Sequence, residues 1–333
     1  MSTMPSLGGS SKSRSAAVLI AVLAVGSAVG GGFFIKRLRT PAPPPPAPMV
    51  AQPARPEMPA PRQPSPLEKA GLKEVSVVVS GPLETAFVKQ LGRPLGLPLT
   101  QVVVRSLVWW VEIPGDLRKG DTVDVLFEER PGEEPLVHAV RFKSEKMAKT
   151  FRAYRYKPEG ARFARDYQPG GDELETRLED APLDDYEQVT SLLRDGRGHK
   201  GVDFKTPVGS PVKAPFDAVV QRKNWNFKMN GNSLEIKELG GGKTAMFLHL
   251  SEVPAGIHVG DKVSRGAVVA MSGNTGHSFA PHLHYQLMSG NTVLDPFAVH
   301  KTVRRSLPAS SKEAFDGEVK RLDSLIDVAL SGS

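Results

Sequence analysis

The chain has 333 residues and no cysteine, which excludes disulfides and thiolate-held metals, so any metal site must be built from nitrogen and oxygen donors. Its net charge of +7 does not argue for a nucleic-acid partner, because residues 1–66 hold seven basic residues against one acid and account for +6 of it. The remaining 267 residues are almost neutral and long enough for two domains.

Residues 1–15 are polar and lead into Ala16–Ile35, twenty apolar or small residues flanked by Lys12 and Arg14 on one side and Lys36, Arg37 and Arg39 on the other. As a helix this run would be about 30 Å long, enough to cross a hydrocarbon core. Gly26-Ser27-Ala28 offers a cleavage site, but the apolar run continues through Phe33, Phe34 and Ile35, which favours an uncleaved transmembrane helix acting as a signal anchor. Basic residues on both flanks leave its orientation open. Residues 36–66 read as a linker, with twelve prolines between Pro41 and Pro66. Such a segment cannot enter a helix or sheet interior and reaches roughly 80 Å when extended.

Residues 67–157 read as an α+β domain. Strand patterns are expected at Val75–Val79, Val102–Glu112, Thr122–Glu128 and Leu136–Phe142, with a helix at Leu83–Leu91 and a turn at Gly120-Asp121. Residues 158–196 are acidic and poorly patterned, as a connecting segment would be. Residues 197–298 read as antiparallel β, with strands at Ala218–Arg222, Ser233–Glu238, Thr244–His249, Val268–Ser272 and His282–Met288 between Gly- and Asn-rich turns. The tail, 299–333, holds a capping box at Ser310 and Glu313. Phe315, Val319, Leu322, Ile326 and Ala329 follow at helical spacing, which predicts an amphipathic helix docked on the protein's own surface. The fold class is therefore mainly β, with a smaller α+β domain before the sheet and a helix at each end.

The chemistry lies in the antiparallel block. His199 and Asp203 form an H-x-x-x-D pair, His282 and His284 an H-x-H pair, and His249 stands alone on an apolar strand. Residues two apart on a strand point to one face about 6.5–7 Å apart, so His282 and His284 share a cleft while Leu283, Tyr285 and Leu287 pack behind it. At that spacing one imidazole can ligate a metal while the other reaches its water. Five such residues supply one zinc site, which needs three protein ligands, and two histidines for proton chemistry. No H-E-x-x-H is present to bring a glutamate base, so histidine must take that role. Taken alone, His249 would be read as a core histidine and Asp203 as a turn residue.

The ordered set R-G-H-K-G-V-D-F (197–204), T-P-V-G-S-P-V-K-A-P (206–215), F-L-H-L-S (247–251), V-G-D-K-V-S-R-G (259–266), S-G-N-T-G (272–276), P-H-L-H-Y (281–285) and D-P-F (295–297) resembles the lysostaphin/LytM-type zinc metallopeptidases. The resemblance implies hydrolysis of peptide crosslinks in bacterial cell-wall peptidoglycan. It makes His199, Asp203 and His284 the ligands of one Zn2+ per chain, and His249 and His282 the catalytic residues. His138, His258, His277 and His300 match no ligand position. Gln286, Phe247 and Ser278-Phe279-Ala280 depart from the usual pattern without removing a ligand, which bears on substrate fit rather than on metal binding.

A cell-wall substrate would orient the anchor in the inner membrane with residues 1–15 cytoplasmic and the rest periplasmic. It would also make peptidoglycan stems the main partner and leave room for a protein regulator. The α+β domain is similar, more weakly, to domains that position or occlude the cleft in Gram-negative members. The alternative is a non-catalytic LytM-like regulator that activates a cell-wall amidase. Such proteins typically lack ligands or catalytic histidines, and here all five are present. The acidic segment offers Asp166, Asp172, Glu173, Glu175, Asp184 and Asp185 as donors that could cap an open zinc position, so it is expected to cover the cleft or to be a solvated linker.

Overall fold

The computed structural model of the chain describes residues 63–179, 182–193 and 198–331. The expected anchor and most of the proline-rich linker lie outside the described residues, among which no helix is long and apolar enough to cross a membrane.

Helix α1 (Pro66–Ala70) opens with a capping box in which Ser65 and Glu68 satisfy each other's backbone N–H, and it ends at Gly71 in the left-handed region. Strand β1 (Lys73–Val78), helices α2 (Leu83–Leu91) and α3 (Arg93–Leu107), and strands β2 (Thr122–Glu128), β3 (Leu136–Ser144), β4 (Lys149–Tyr156) and β5 (Arg165–Tyr167) follow. The five strands form one antiparallel sheet in sequence order.

The expected strand at Val102–Glu112 is instead the second half of α3 and the turn after it. Three successive valines argue for a strand, yet Leu99, Val102, Val103, Ser106 and Leu107 bury one helical face. Pro94, Gly96 and Pro98 hide the helix from a propensity reading. Gly96 is required where α3 crosses α2, since a Cβ there would lie 2.8 Å from the Val88 backbone.

This first sheet is covered on both faces. Val75, Val77, Val123 and Val125 pack under Phe87, Leu99 and Val103 of the two helices. On the other face Leu126, Ala139, Tyr154 and Tyr167 meet helix α6 (Lys312–Ser331) through Phe315, Leu322, Leu325 and Ile326. The terminal helix therefore docks on the protein itself, as its periodicity predicts. Phe315 is fully buried among the rings of Tyr154, Tyr156 and Tyr167, at 5.4–6.4 Å between centroids.

Strands β6 (Arg177–Leu178), β7 (Gln188–Ser191), β8 (Val202–Lys205), β9 (Pro211–Lys213), β10 (Ala218–Lys223), β11 (Asn232–Glu238), β12 (Lys243–Leu250), β13 (Lys262–Val263), β14 (Val268–Met271), β15 (His282–Ser289), β16 (Thr292–Leu294) and β17 (Thr302–Val303) build the rest. Eight of them make the second sheet, in the order β13-β10-β11-β12-β15-β8-β7 with β16 beside β15. Two one-turn helices, α4 (Phe227–Asn230) and α5 (Pro296–Val299), interrupt the otherwise all-β block. Its core is the inner face of these strands, with Val202, Phe204, Phe247, Leu283, Tyr285 and Leu287 fully buried.

Residues 158–196 differ from the unpatterned connection expected. They contribute β5 to the first sheet and β7 to the edge of the second. Hydropathy hides this because their buried groups are charged: Glu173, Glu175 and Arg177 are each at most 5% exposed.

Candidate active site

Strands β8 and β15 are antiparallel neighbours, and their register sets Asp203 directly opposite His284. Val202 and Phe204 on one strand and Leu283 and Tyr285 on the other fill the core, so alternation turns Asp203, His282 and His284 to the opposite face. His199 reaches the same face from the loop before β8. Its Nε2 lies 3.3 Å from Asp203 Oδ1 and 3.1 Å from His284 Nδ1, while Asp203 Oδ1 is 2.8 Å from His284 Nδ1.

Tetrahedral zinc with ligands at 2.0–2.2 Å has donor atoms about 3.3–3.5 Å apart, so this triangle is slightly tighter than the metal would hold it. His199 Nδ1 faces the Leu192 carbonyl at 3.1 Å. A carbonyl only accepts, so Nδ1 carries the proton and Nε2 presents its lone pair to the triangle. Two imidazoles and a carboxylate converging this closely form a donor set that suits zinc. Burial alone would raise the Asp203 pKa, but the imidazoles of His199 and His284 packed against it outweigh this and hold the carboxyl well below the usual range.

His249 ends β12 with φ of +61°, a left-handed conformation that a β-carbon disfavours, and it turns the imidazole into the cleft. Its Nδ1 donates to the Thr275 carbonyl at 2.9 Å. His282 Nδ1 donates to the Ala280 carbonyl at 2.7 Å, with Ser278 Oγ at 3.1 Å. In each ring Nδ1 is thus engaged with a carbonyl, and Nε2 is the remaining nitrogen. Their centroids are 4.9 Å apart, and His282 Nε2 is 3.9 Å from Asp203 Oδ1. Burial lowers the His249 pKa to about 4, with the neighbouring imidazoles of His282 and His284 adding to the effect, so the ring is neutral at physiological pH.

The same hundred residues carry a family match. Residues 197–296 fit the profile of Peptidase family M23. The chain carries an M23 peptidase domain. Among curated relatives, the Peptidoglycan DD-endopeptidase ShyB of Vibrio cholerae is 29% identical over 270 residues, 75% of this chain and 60% of that one. The glycyl-glycine endopeptidase ALE-1 of Staphylococcus capitis is 39% identical over 111 residues, 32% of this chain and 30% of that one. The solved catalytic domain of lysostaphin from Staphylococcus simulans is 37% identical, covering 31% of this chain and 80% of that one, with a TM-score of 0.28. The chain thus spans little more than half the length of the ShyB relative.

Within the M23 block the structure brings together all five residues singled out in the sequence. His199, Asp203 and His284 form the group of donors able to hold a metal among the described residues. His258 and His277 sit in exposed loops, His138 lies near Glu128 in the first sheet, and His300 accepts from or donates to the Tyr285 hydroxyl at 2.8 Å.

Positioning groups escaped the sequence reading. A Cβ at Gly201 would lie 2.8 Å from the His284 ring and 2.6 Å from the Tyr285 carbonyl, so only glycine lets the His199 loop pass His284. Gly273 likewise has backbone of His249–Ser251 where its Cβ would be, which presses the Ser272–Gly276 loop onto the end of β12 and delivers the Thr275 carbonyl. The motif strings signalled these glycines without revealing what they touch.

The six carboxylates named as candidate caps have partners of their own. Asp184 pairs with Lys213, Asp185 with Arg165, Glu173 with Arg165 and Arg177, and Asp172 accepts from Ser306. Glu175 accepts the Val189 N–H and Asp166 faces the Gln188 amide.

Proposed function

We propose that this chain is a zinc-dependent endopeptidase that hydrolyses peptide crosslinks of bacterial peptidoglycan. The observation that carries the reading is the convergence of His199 Nε2, Asp203 Oδ1 and His284 Nδ1, with the Nε2 atoms of His249 and His282 on the same cleft. Relatives named as peptidoglycan DD-endopeptidases support the substrate class.

His199, Asp203 and His284 would hold the ion. When bound, zinc supplies Lewis-acid chemistry, polarising a carbonyl and making water nucleophilic near pH 7. His249, neutral and fixed through Nδ1, accepts the nucleophile's proton at Nε2. His282, fixed in the same way, takes the other side of the cleft. Once protonated, either Nε2–H can donate to the developing oxyanion or to the leaving amine.

The amidase-activator alternative requires no turnover, so one experiment separates the two. The full chain incubated with purified peptidoglycan and zinc should release crosslink-cleaved peptides identifiable by mass spectrometry, and a chelator should stop it. Intact muropeptides after incubation with zinc-loaded protein would leave the activator reading.

The same proposal includes location and organisation. Residues 16–35 anchor the chain in the inner membrane, 36–66 space it outward, and 67–157, 158–196, 197–298 and 299–333 follow in the periplasm. The apolar length of 16–35 supports this. Protein recovered in the soluble fraction after cell lysis, with its N-terminus cut near Ala28, would overturn the anchor.

A further inference from the structure

Strand β7 lies before the M23 match, yet each of its last residues touches the metal-ligand pair. Thr190 Oγ1 donates to the Asp203 carbonyl at 3.3 Å, Ser191 is registered opposite Asp203, and Ser191 Oγ lies 3.0 Å from His199 Nδ1. The Leu192 carbonyl accepts from the same nitrogen. An imidazole ligates through one nitrogen only when the other holds the proton, and the group accepting that proton fixes both tautomer and ring direction.

What fixes β7 is a buried charge cluster. Glu175 accepts the Val189 N–H through both oxygens, at 3.0 and 3.2 Å. Arg177, 2% exposed, donates to the carbonyls of Tyr186 at 2.9 Å and Glu187 at 3.4 Å. Its guanidinium lies 4.4 Å over the Tyr186 ring, which in turn packs 4.7 Å from Phe204, the residue after the ligand Asp203. Glu173 pairs with Arg177 from the other side, and Glu175 is 3.8 Å from it. Two adjacent backbone stretches, 186–187 and 189, are therefore gripped just before the strand reaches His199.

We propose that the acidic segment before the M23 block is a brace for the metal site: Glu175 and Arg177 hold β7 so that Leu192 and Ser191 fix His199 with Nε2 aimed at the ion. Glu175, Arg177 and Ser191 are positioning residues that act through His199. The inference rests on the zinc reading above and assigns a role to a segment that the family match does not reach.

The test is zinc affinity of the full chain, measured by competition with a chromogenic chelator on samples shown to be folded by circular dichroism. Glu175→Ala, which frees the Val189 N–H, should weaken zinc binding by about 10–100-fold, the usual effect of losing an outer-shell partner. Ser191→Ala should weaken it in the same direction and serves if Glu175→Ala does not fold. Glu175→Gln keeps an acceptor for Val189 and should stay near the parent protein. An imidazole 15N spectrum of the zinc-loaded parent should show His199 Nδ1 protonated. Unchanged affinity in folded Glu175→Ala and Ser191→Ala, or an unprotonated His199 Nδ1, would overturn the brace. Failure of the parent itself to bind zinc would overturn the metal reading instead.

Discussion

The strands β8 and β15 and the segment just before them both bury carboxylates, with opposite outcomes. Asp203 sits between two imidazoles and, 19% exposed, faces a cleft. Glu173 and Glu175 are buried around the Arg177 guanidinium, with Arg165 also on Glu173. The first arrangement gathers nitrogen and oxygen donors on a cleft, which suits a metal ligand. The second uses its carboxylate oxygens on Arg177 and on backbone N–H groups, which makes a support. A carboxylate's chemistry therefore follows from what satisfies its oxygens rather than from its depth.

The largest effects should come from removing the open-facing donors. His199→Ala, Asp203→Ala and His284→Ala should each lose stoichiometric zinc. If the roughly 10–16 kcal/mol of a structural zinc site is shared among four ligands, each is worth about 3 kcal/mol, on the order of 10²-fold in affinity. Metal analysis that still finds one zinc per chain in any of the three would break the ligand assignment.

Next come the two histidines whose Nδ1 atoms are tied to carbonyls. His249→Ala and His282→Ala should keep zinc and lose turnover by about 10²–10⁴-fold, the range for removing a general acid or base. Loss of metal in either would make that residue a ligand and exchange the roles.

How much of this was legible differs between the same two regions. In the M23 block, period-two alternation puts Leu283, Tyr285 and Leu287 on one face and His282 and His284 on the other, whereas His249 and Asp203 stand out only through their place in the ordered motif set. The supports could not be read, because the Thr275, Ala280 and Leu192 carbonyls are backbone atoms that any residue type supplies. Before the block, the buried layer is made of Arg and Glu, which composition reads as solvated. In the first sheet, Val102-Val103-Val104 carries a strand propensity that packing against Phe87 overrides.

Arg177→Met sharpens the contrast at the third level. It removes the guanidinium that Glu173 and Glu175 share, leaving Glu173 with Arg165 and Glu175 with the Val189 N–H, so it should cost up to about 3–5 kcal/mol of stability. Asp184→Ala, which breaks a pair with Lys213 in which the acid is 75% exposed, should change stability by less than about 1 kcal/mol. Equal denaturation midpoints for Arg177→Met and the parent protein would mean the cluster carries no weight.

A smaller effect than that of Arg177→Met concerns a third kind of buried carboxylate, one with neither a metal-facing role nor a cation. Glu74 on β1 keeps Oε1 buried without a hydrogen-bond partner, and burial together with the charge of Asp124 pushes its pKa up to about 7. The unfolded chain ionises this group near pH 4.5 while the folded chain holds its proton to about pH 7. Between those values the native state binds more protons than the unfolded one, so its contribution to stability falls as pH rises and levels off above 7. Discounted for the half-buried setting, the loss is on the order of 1–2 kcal/mol. Glu74→Gln cannot ionise, so the difference in urea-denaturation free energy between variant and parent should widen from pH 5 to pH 8, in the variant's favour. Parallel pH profiles would show that Glu74 titrates as an ordinary surface glutamate and finds solvent in the folded protein.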